Sequence, residues 1–264
     1  MKKIIVGILA LLLVIYIGGF FFSSWAQELL IYPSPNRTNE NCERKIAEKT
    51  VEHNETTLYH QSVENADEVI VFYHGNGNIV CDMVFVADIF NENDISYIFP
   101  EYTGYSDDGN KSTHEGVLKN VQDTADYIEQ QDYEHVYVIG QSIGTGAAAY
   151  HTTLQEVEKL LLISPFTTLT DVIYEMVPLY PRIFIENFFV DLFNNKLRLQ
   201  DYKGDLLIIH GTNDLVIDIS QGLELFESTS ARQKEFLSAE GFGHANIVES
   251  DEIIKVINDI SQQE

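Results

Sequence analysis

A serine between two glycines, placed directly after an apolar run, constrains the fold of this chain more than any other feature. The run at 136–139 leads into Gly-Gln-Ser-Ile-Gly at 140–144, and small residues follow at 145–149. A strand, a sharp turn and a closely packed helix are the context that places the serine of G-x-S-x-G at a nucleophile elbow. Glycines are needed because the serine backbone there is strained and leaves no room for a neighbouring Cβ. The pattern predicts such an elbow at Ser142.

Strand and helix signals alternate along the rest of the chain. Apolar or β-rich runs predict strands at about 56–61, 68–73, 95–99, 135–139, 159–163, 205–209 and 235–237, and helical spacing predicts helices at about 79–90, 117–128, 220–229 and 248–260. Short apolar runs between amphipathic helices are typical of a mostly parallel sheet with helices on both faces. The chain of 264 residues has no internal linker. We therefore predict one α/β domain over residues 27–264.

The chain begins with two lysines and then nineteen uncharged residues, 4–22. At about 1.5 Å per residue a helix of that length reaches roughly 28 Å, enough to cross a hydrocarbon core. We predict an uncleaved signal anchor, a transmembrane helix, over residues 1–26. The lysines place the N-terminus in the cytosol and the domain outside it. Cleavage after Ala26, which would give a secreted or periplasmic protein, is the alternative.

The acidic balance of the chain limits its partners. The formal charge is −25, and without Lys2 and Lys3 it is −27 for the remainder, because residues 1–26 hold no acidic group. Such a surface disfavours nucleic acid, and no Lys/Arg cluster indicates a polyanion site. Cys42 and Cys81 are the only cysteines. In an exported protein they could form a disulfide, and a small buried thiol at Cys81 is the alternative.

An acid and a base follow Ser142 in the order expected of this architecture. Asp214 comes just after the strand predicted at 205–209, from where its carboxylate can orient an imidazole. His244 lies in a glycine-flanked loop before the last helix and is the best base among the eight histidines. Asp218 is a competing acid. His74 and His210, each before a glycine at a strand end, are expected to shape turns.

Stabilising a developing oxyanion requires two backbone N–H groups aimed at one point. One is expected from Ile143, the residue after the nucleophile. The other is expected from the run His-Gly-Asn-Gly-Asn at 74–78, at Asn76. This run is not a phosphate loop, since neither G-K-[ST] nor the G-x-G-x-x-G spacing is present.

Six motifs, at 73–79, 101–105, 140–146, 164–167, 209–214 and 243–244, occur in the order found in a known family. Over about residues 68–247 the chain resembles the bud-emergence-type α/β-hydrolases, relatives of the α/β-hydrolase-domain-containing depalmitoylases. The resemblance implies an α/β-hydrolase fold and a triad of Ser142, Asp214 and His244. Members are serine hydrolases, several are membrane-tethered, and some remove fatty acyl groups from cysteine. The N-terminus departs from the depalmitoylases, because it has a hydrophobic segment where they have a cysteine-rich palmitoylated one.

The interval between Ser164 and Lys203 is rich in bulky apolar residues, and in this fold it is where a lid or pocket wall is inserted. We expect a short lid-like region at about 170–200. At about 100° per residue, Phe184, Phe188, Phe189 and Phe193 spread over roughly half of a helix circumference, wider than one core-facing stripe needs. Some of them are therefore expected to line an acyl pocket or to lean on a bilayer.

These features predict a membrane-anchored serine hydrolase that cleaves carboxylic esters or thioesters through an acyl-enzyme. The expected substrate is a small acyl ester or thioester, a lipid or an acylated protein, and the chemistry requires no metal or organic cofactor. The alternatives are a peptidase or acyltransferase of the same fold, or a non-catalytic binding protein. Peptidases of this fold usually carry an extra domain for which this chain has no room.

Overall fold

The computed structural model describes residues 2–26, 31–33, 37, 46–179, 182, 185–186 and 193–260. Its centre is an eight-stranded sheet. The strands are β1 (Lys49–His53), β2 (Thr56–Gln61), β3 (Glu68–Tyr73), β4 (Tyr97–Pro100), β5 (His135–Gln141), β6 (Lys159–Ile163), β7 (Asp205–Gly211) and β8 (Lys234–Ala239). The predicted strands are confirmed, with ends that shift by a few residues.

The sheet is mostly parallel, as predicted. Its order is β1-β2-β4-β3-β5-β6-β7-β8. The pairs β1–β2 and β2–β4 are antiparallel, and every pair from β4–β3 to β7–β8 is parallel. The edge strand β1 was not predicted, because its sequence holds a single apolar residue, Val51, and its side chains are exposed or half-buried.

The described helices are α1 (Lys2–Ala26), α2 (Val84–Glu92), α3 (His114–Ile128), α4 (Gly144–His151), α5 (Leu169–Met176), α6 (Asn195–Arg198), α7 (Ile219–Ser228) and α8 (Asp251–Ile260). The helix predicted from residue 79 begins as a 3-10 turn, Val80–Met83. The central strands β3 and β5 are buried at almost every position. Because successive side chains point to opposite faces, such burial means that both faces of the sheet are covered.

Helix α1 covers the predicted anchor and is 25 residues long. Side chains are described at only some of its positions. Among the residues that the structure describes, no helix is both long and apolar enough to cross a membrane. The transmembrane helix predicted for residues 1–26 is therefore not supported by the structure.

Cys81 lies in the 3-10 turn before α2 and is disulfide-bonded. The other cysteine of the chain, Cys42, lies outside the described residues. Of the two alternatives left by the sequence, the buried thiol at Cys81 is thus wrong, and the oxidised form is present.

Candidate active site

Ser142 occupies a sharp turn between the end of β5 and the start of α4. Its φ is 54°, in the left-handed region that residues other than glycine rarely adopt. A Cβ on Gly144 would lie 2.2 Å from the carbonyl oxygen of Tyr73, and one on Gly140 would lie 2.5 Å from the carbonyl oxygen of Gly144. Only glycine fits at either position, so the strained serine backbone is held by contacts between main chains. This is the geometry that the pentapeptide predicts.

The structure brings Ser142, His244 and Asp214 into one hydrogen-bonded chain. Ser142 Oγ lies 2.8 Å from His244 Nε2, and His244 Nδ1 lies 2.8 Å from Asp214 Oδ2. The three residues follow the carboxyl ends of β5, β7 and β8, which meet at one edge of the sheet. Because a carboxylate can only accept, His244 Nδ1 donates to Asp214, which leaves Nε2 free to accept from the serine hydroxyl.

The carboxylate of Asp214 is fully buried, yet it is held in its charged form. Burial alone would raise its pKa, but hydrogen bonds from His210 and His244 and from the backbone N–H of Ile217 hold the pKa well below its usual range. Asp214 Oδ1 accepts the N–H groups of Val216 and Ile217, both at 2.9 Å. These two bonds fix one carboxylate oxygen, so that the other faces His244.

The competing acid, Asp218, has a different position. It is the N-cap of α7, and its Oδ1 accepts the backbone N–H of Ser220 at 2.9 Å. A carboxylate in this role stabilises the first turn of a helix. Of the two acids that the sequence offered, Asp214 is therefore the one that contacts His244.

A cavity of about 480 Å³ opens beside Ser142 and His244. Its walls are mainly apolar and come from Phe166, from the inner face of α5 and from Ile217. Such a space suits a hydrocarbon group attached to the atom that the serine would attack.

The residues predicted for the oxyanion site, Asn76 and Ile143, both line this cavity. The side-chain oxygen of Asn76 accepts a hydrogen bond of 3.0 Å from the Tyr105 hydroxyl, which anchors the loop at 74–78. Gly75 lies so close to the elbow that an added Cβ would be 3.6 Å from Ser142 Cβ. The loop and the elbow therefore face each other across the entrance to the cavity, and the roles of the two N–H groups stay predictions.

The predicted lid-like region at 170–200 is only partly described. Its first part is α5, which forms one wall of the cavity. Phe184, Phe188 and Phe189 lie outside the described residues. Phe193 is completely buried, with its ring 4.8 Å from the ring of His114 and against Gly146. Phe193 is therefore a core residue, because the small residue at 146 leaves a space that this ring fills, and the expectation that some of the four phenylalanines line a pocket or lean on a bilayer stays a prediction for the other three.

Comparisons with known proteins agree with the fold. No family model matches the chain. The alpha/beta hydrolase domain-containing protein 17B of Xenopus tropicalis is 31% identical over 191 residues, which cover 69% of this chain and 62% of that protein. An alpha/beta hydrolase of Acanthamoeba polyphaga mimivirus is 25% identical over 189 residues, 68% of each chain. An esterase of Pyrococcus furiosus has the same fold, with a TM-score of 0.66 at 15% identity over 86% of this chain and 94% of that one.

The chain has the α/β-hydrolase fold. Its relatives are α/β-hydrolase-domain-containing proteins, as the motifs predicted. The aligned part spans less than two thirds of the 17B protein.

Two further histidines are buried next to the loops that carry residues of the site. His210 is fully buried, donates from Nε2 to the carbonyl oxygen of Ile217 at 2.9 Å, and has that nitrogen 3.5 Å from Asp214 Oδ2. This hydrogen bond joins the end of β7 to Ile217 and so holds the loop that carries Asp214. His74 is also buried, with Nε2 3.4 Å from Glu101 Oε1, beneath the loop at 74–78. The expectation that both shape turns is consistent with these contacts. The contact between His74 and Glu101 was missed because the two residues follow different strands, and the contact between His210 and Asp214 was missed because it depends on the path of the loop after β7.

One group of described side chains could share a metal ion, and it lies elsewhere. Asp67, Glu134 and His135 are exposed and place ligand atoms within 4.8 Å of one another. They lie at the amino ends of β3 and β5, the opposite edge of the sheet from Ser142. Because of this position, the group is not part of the site at Ser142. Exposed acidic groups are also common without a bound metal.

Proposed function

We propose that this chain is a serine hydrolase that cleaves carboxylic esters or thioesters through an acyl-enzyme. The observation that carries the proposal is the pair of 2.8 Å hydrogen bonds that joins Ser142 to His244 and His244 to Asp214. This arrangement makes an ordinary hydroxyl nucleophilic at neutral pH. A chain used only for binding would gain nothing from a strained, hydrogen-bonded serine at a cavity mouth.

In the first step, Ser142 Oγ attacks the acyl carbon while its proton moves to His244 Nε2. The carbonyl π electrons move to oxygen, and the resulting oxyanion accepts hydrogen bonds from the N–H groups of Ile143 and Asn76. When the intermediate collapses, the bond to the alcohol or thiol breaks, and His244 gives its proton to the leaving group. Asp214 stays ionised throughout and stabilises the imidazolium, in keeping with a pKa held below its usual range.

In the second step, water takes the place of the leaving group. His244 removes a proton from the water as its oxygen attacks the acyl-serine, and the proton then returns to Ser142 Oγ as the acid leaves. The apolar wall at Phe166 and α5 favours an acyl group that is itself apolar. A lipid, an acylated protein and a small acyl ester or thioester all offer such a group.

Labelling and turnover test the proposal together. We expect a fluorophosphonate probe to label the wild-type chain, and p-nitrophenyl esters from acetyl to palmitoyl to give a burst followed by steady turnover. Ser142→Ala should abolish both. Ser164→Ala is the matched control, since Ser164 is also buried and also has a left-handed backbone, with φ of 48°, directly after a strand. Undiminished labelling of Ser142→Ala would remove Ser142 from the reaction.

We also propose that the N-terminal segment tethers the domain to a membrane on its extracytoplasmic side. Support comes from the uncharged stretch at 4–22 behind Lys2 and Lys3, and from apolar side chains such as Val14 and Phe21 that α1 leaves exposed. The disulfide at Cys81 supports the topology, because disulfides persist in oxidising compartments outside the cytosol.

Fractionation tests the tether. Most of the full chain should stay with membranes after extraction at alkaline pH, and a protease added outside the cytosolic membrane should reach the domain. Release by alkali would exclude a membrane-embedded segment. A shortened chain that begins near residue 27 would indicate that the segment is cleaved instead.

A further inference from the structure

Exposed apolar side chains concentrate at the mouth of the cavity. Outside α1, the described large apolar residues that are exposed are Phe85, Met176, Val177, Leu179, Leu197, Leu215, Val216 and Leu223. Five of these eight lie in two short segments, 176–179 and 215–216. Leu179 is 98% exposed and Leu215 is 97% exposed. Such side chains are costly in water unless something covers them.

Both segments contribute residues to the cavity lining. Met176 and Val177 follow the wall helix α5, Val216 follows Asp214 by two positions, and all three line the cavity. Neither segment contains a charged residue, although the chain has 41 acidic ones. We call Met176, Val177, Leu179, Leu215 and Val216 the apolar rim.

A third part of the cavity wall is close in sequence to α1. Ile31 is buried, lines the cavity and comes five residues after Ala26, the last residue of α1. Five residues span at most about 18 Å, whatever path they take. A tether at α1 therefore keeps the cavity wall within that distance of the segment in contact with lipid. Because Ile31 lines the cavity, the face of the domain that contains the cavity is the one held near the membrane.

From this placement we infer that the apolar rim docks on an electrically neutral phospholipid bilayer and that acyl chains enter the cavity directly from the membrane. The inference rests on the proposed hydrolase activity and on the proposed tether. A neutral surface fits because the rim contains no Lys or Arg, and the remainder beyond residue 26 carries a formal −27 that anionic headgroups would repel. Because both segments of the rim contribute to the cavity lining, docking would bring the cavity against lipid.

Two substrates separate docking from chemistry. The full chain is reconstituted into phosphatidylcholine vesicles and assayed on soluble p-nitrophenyl acetate and on p-nitrophenyl palmitate dissolved in the bilayer. In the double variant Leu179→Glu/Leu215→Glu the bilayer rate should fall about tenfold or more, since two apolar side chains become charged, while the acetate rate stays within about twofold. The matched control, Leu197→Glu/Leu223→Glu, changes two exposed leucines that lie outside the two rim segments and should alter neither rate.

A second measurement does not depend on activity. Leu179→Trp is made in a Trp25→Phe background, because Trp25 is the only tryptophan. Brominated phosphatidylcholine should quench its fluorescence, and replacing half of the lipid with phosphatidylglycerol should weaken the quenching. An unchanged bilayer rate in the double Glu variant, or no quenching, would overturn docking, as would burial of the rim in a dimer of two chains. A chain that is quenched but hydrolyses no ester would contradict the proposed function and leave docking supported.

Discussion

The nucleophile elbow and the wall of the cavity lie side by side but are built differently. At 140–146 the packing is so close that a Cβ on any of the three glycines would lie within 2.5 Å of another atom, a main-chain oxygen for Gly140 and Gly144 and the Phe193 ring for Gly146. Helix α5, which forms the wall, has only Leu169 and Val172 buried, and Met176 at its end is exposed. The difference indicates that the reacting atoms are held rigidly, whereas the surface that selects the acyl group can change at little cost to the fold.

The largest effect on turnover is expected from a substitution that changes the hydrogen bonding of His244 but not the size of the side chain that contacts it. Asp214→Asn should lower kcat by about 10⁴, because an amide can donate to His244 Nδ1 and so stabilise the wrong tautomer. Asp218→Asn should lower kcat less than about twofold, since asparagine also serves as a helix cap. Steady-state turnover of p-nitrophenyl acetate measures both variants. Equal losses would mean that the acid was misassigned.

The next effect tests the steric side of the elbow. In Gly144→Ala the new Cβ would lie 2.2 Å from the Tyr73 carbonyl oxygen, a main-chain atom that cannot rotate away. We expect a loss of about 3 kcal/mol or more in unfolding free energy. Gly116→Ala is the control: its Cβ would lie 3.2 Å from the movable Thr113 hydroxyl. Urea unfolding compares the two, and an unaffected Gly144→Ala variant would show that the elbow is looser than its geometry indicates.

The elbow could be predicted because its signal is local. A strand, two glycines and a run of small residues are contiguous, and each requirement is a property of the adjacent residues. The chain order also leads to Asp214 and His244. The choice between Asp214 and Asp218 could not be made from the sequence, because the two carboxylates are only four positions apart. The structure shows that Asp218 accepts a hydrogen bond from the first turn of α7, whereas Asp214 contacts His244.

The pocket wall could not be predicted in the same way. Periodicity marks Phe193 as apolar but does not tell core from pocket, and the deciding contact is with Gly146, far away in sequence. Strand β1 was not predicted because Lys49–His53 has no apolar pattern, and its place in the sheet depends on antiparallel pairing with β2. The support of Asp214 by His210 depends on the return of the chain at Ile217, which propensity does not encode.

A third prediction concerns the far end of the helix that begins at the elbow. His151, the last residue of α4, is fully buried and bonds the Tyr73 hydroxyl at 2.7 Å, and burial lowers its pKa from 6.5 to about 3. Between those values the unfolded chain binds a proton that the folded chain does not. Stability is therefore lost as the pH falls below 6.5, by about 2 kcal/mol at pH 5. Burial likewise lowers the pKa of His60, to about 4, and adds a loss of the same sign.

Unfolding free energies at pH 7 and pH 5 measure this effect. His151→Gln should lose less stability between the two values than the wild type, because glutamine does not titrate. His135→Gln is the control, since this histidine is exposed and its Nδ1 contacts Glu158 at the surface, where such contacts contribute little. A His151→Gln variant with the wild-type pH dependence would place the titrating group elsewhere.

The smallest effect is expected from a substitution in the cavity wall, and it should reduce turnover of long acyl esters more than that of short ones. Ile173 is half-buried and lines the cavity. In Ile173→Trp the larger side chain should occupy space that a long acyl chain needs, so kcat/KM for the palmitoyl ester should fall about tenfold relative to the acetyl ester. Because the side chain is partly exposed, the unfolding free energy should change by less than about 1 kcal/mol. Fluorophosphonate labelling of Ser142 should proceed as in the wild type, since the elbow is untouched. If labelling and stability fell together with palmitoyl turnover, the wall would be part of the same rigid unit as the elbow, and the contrast between the two regions would not hold.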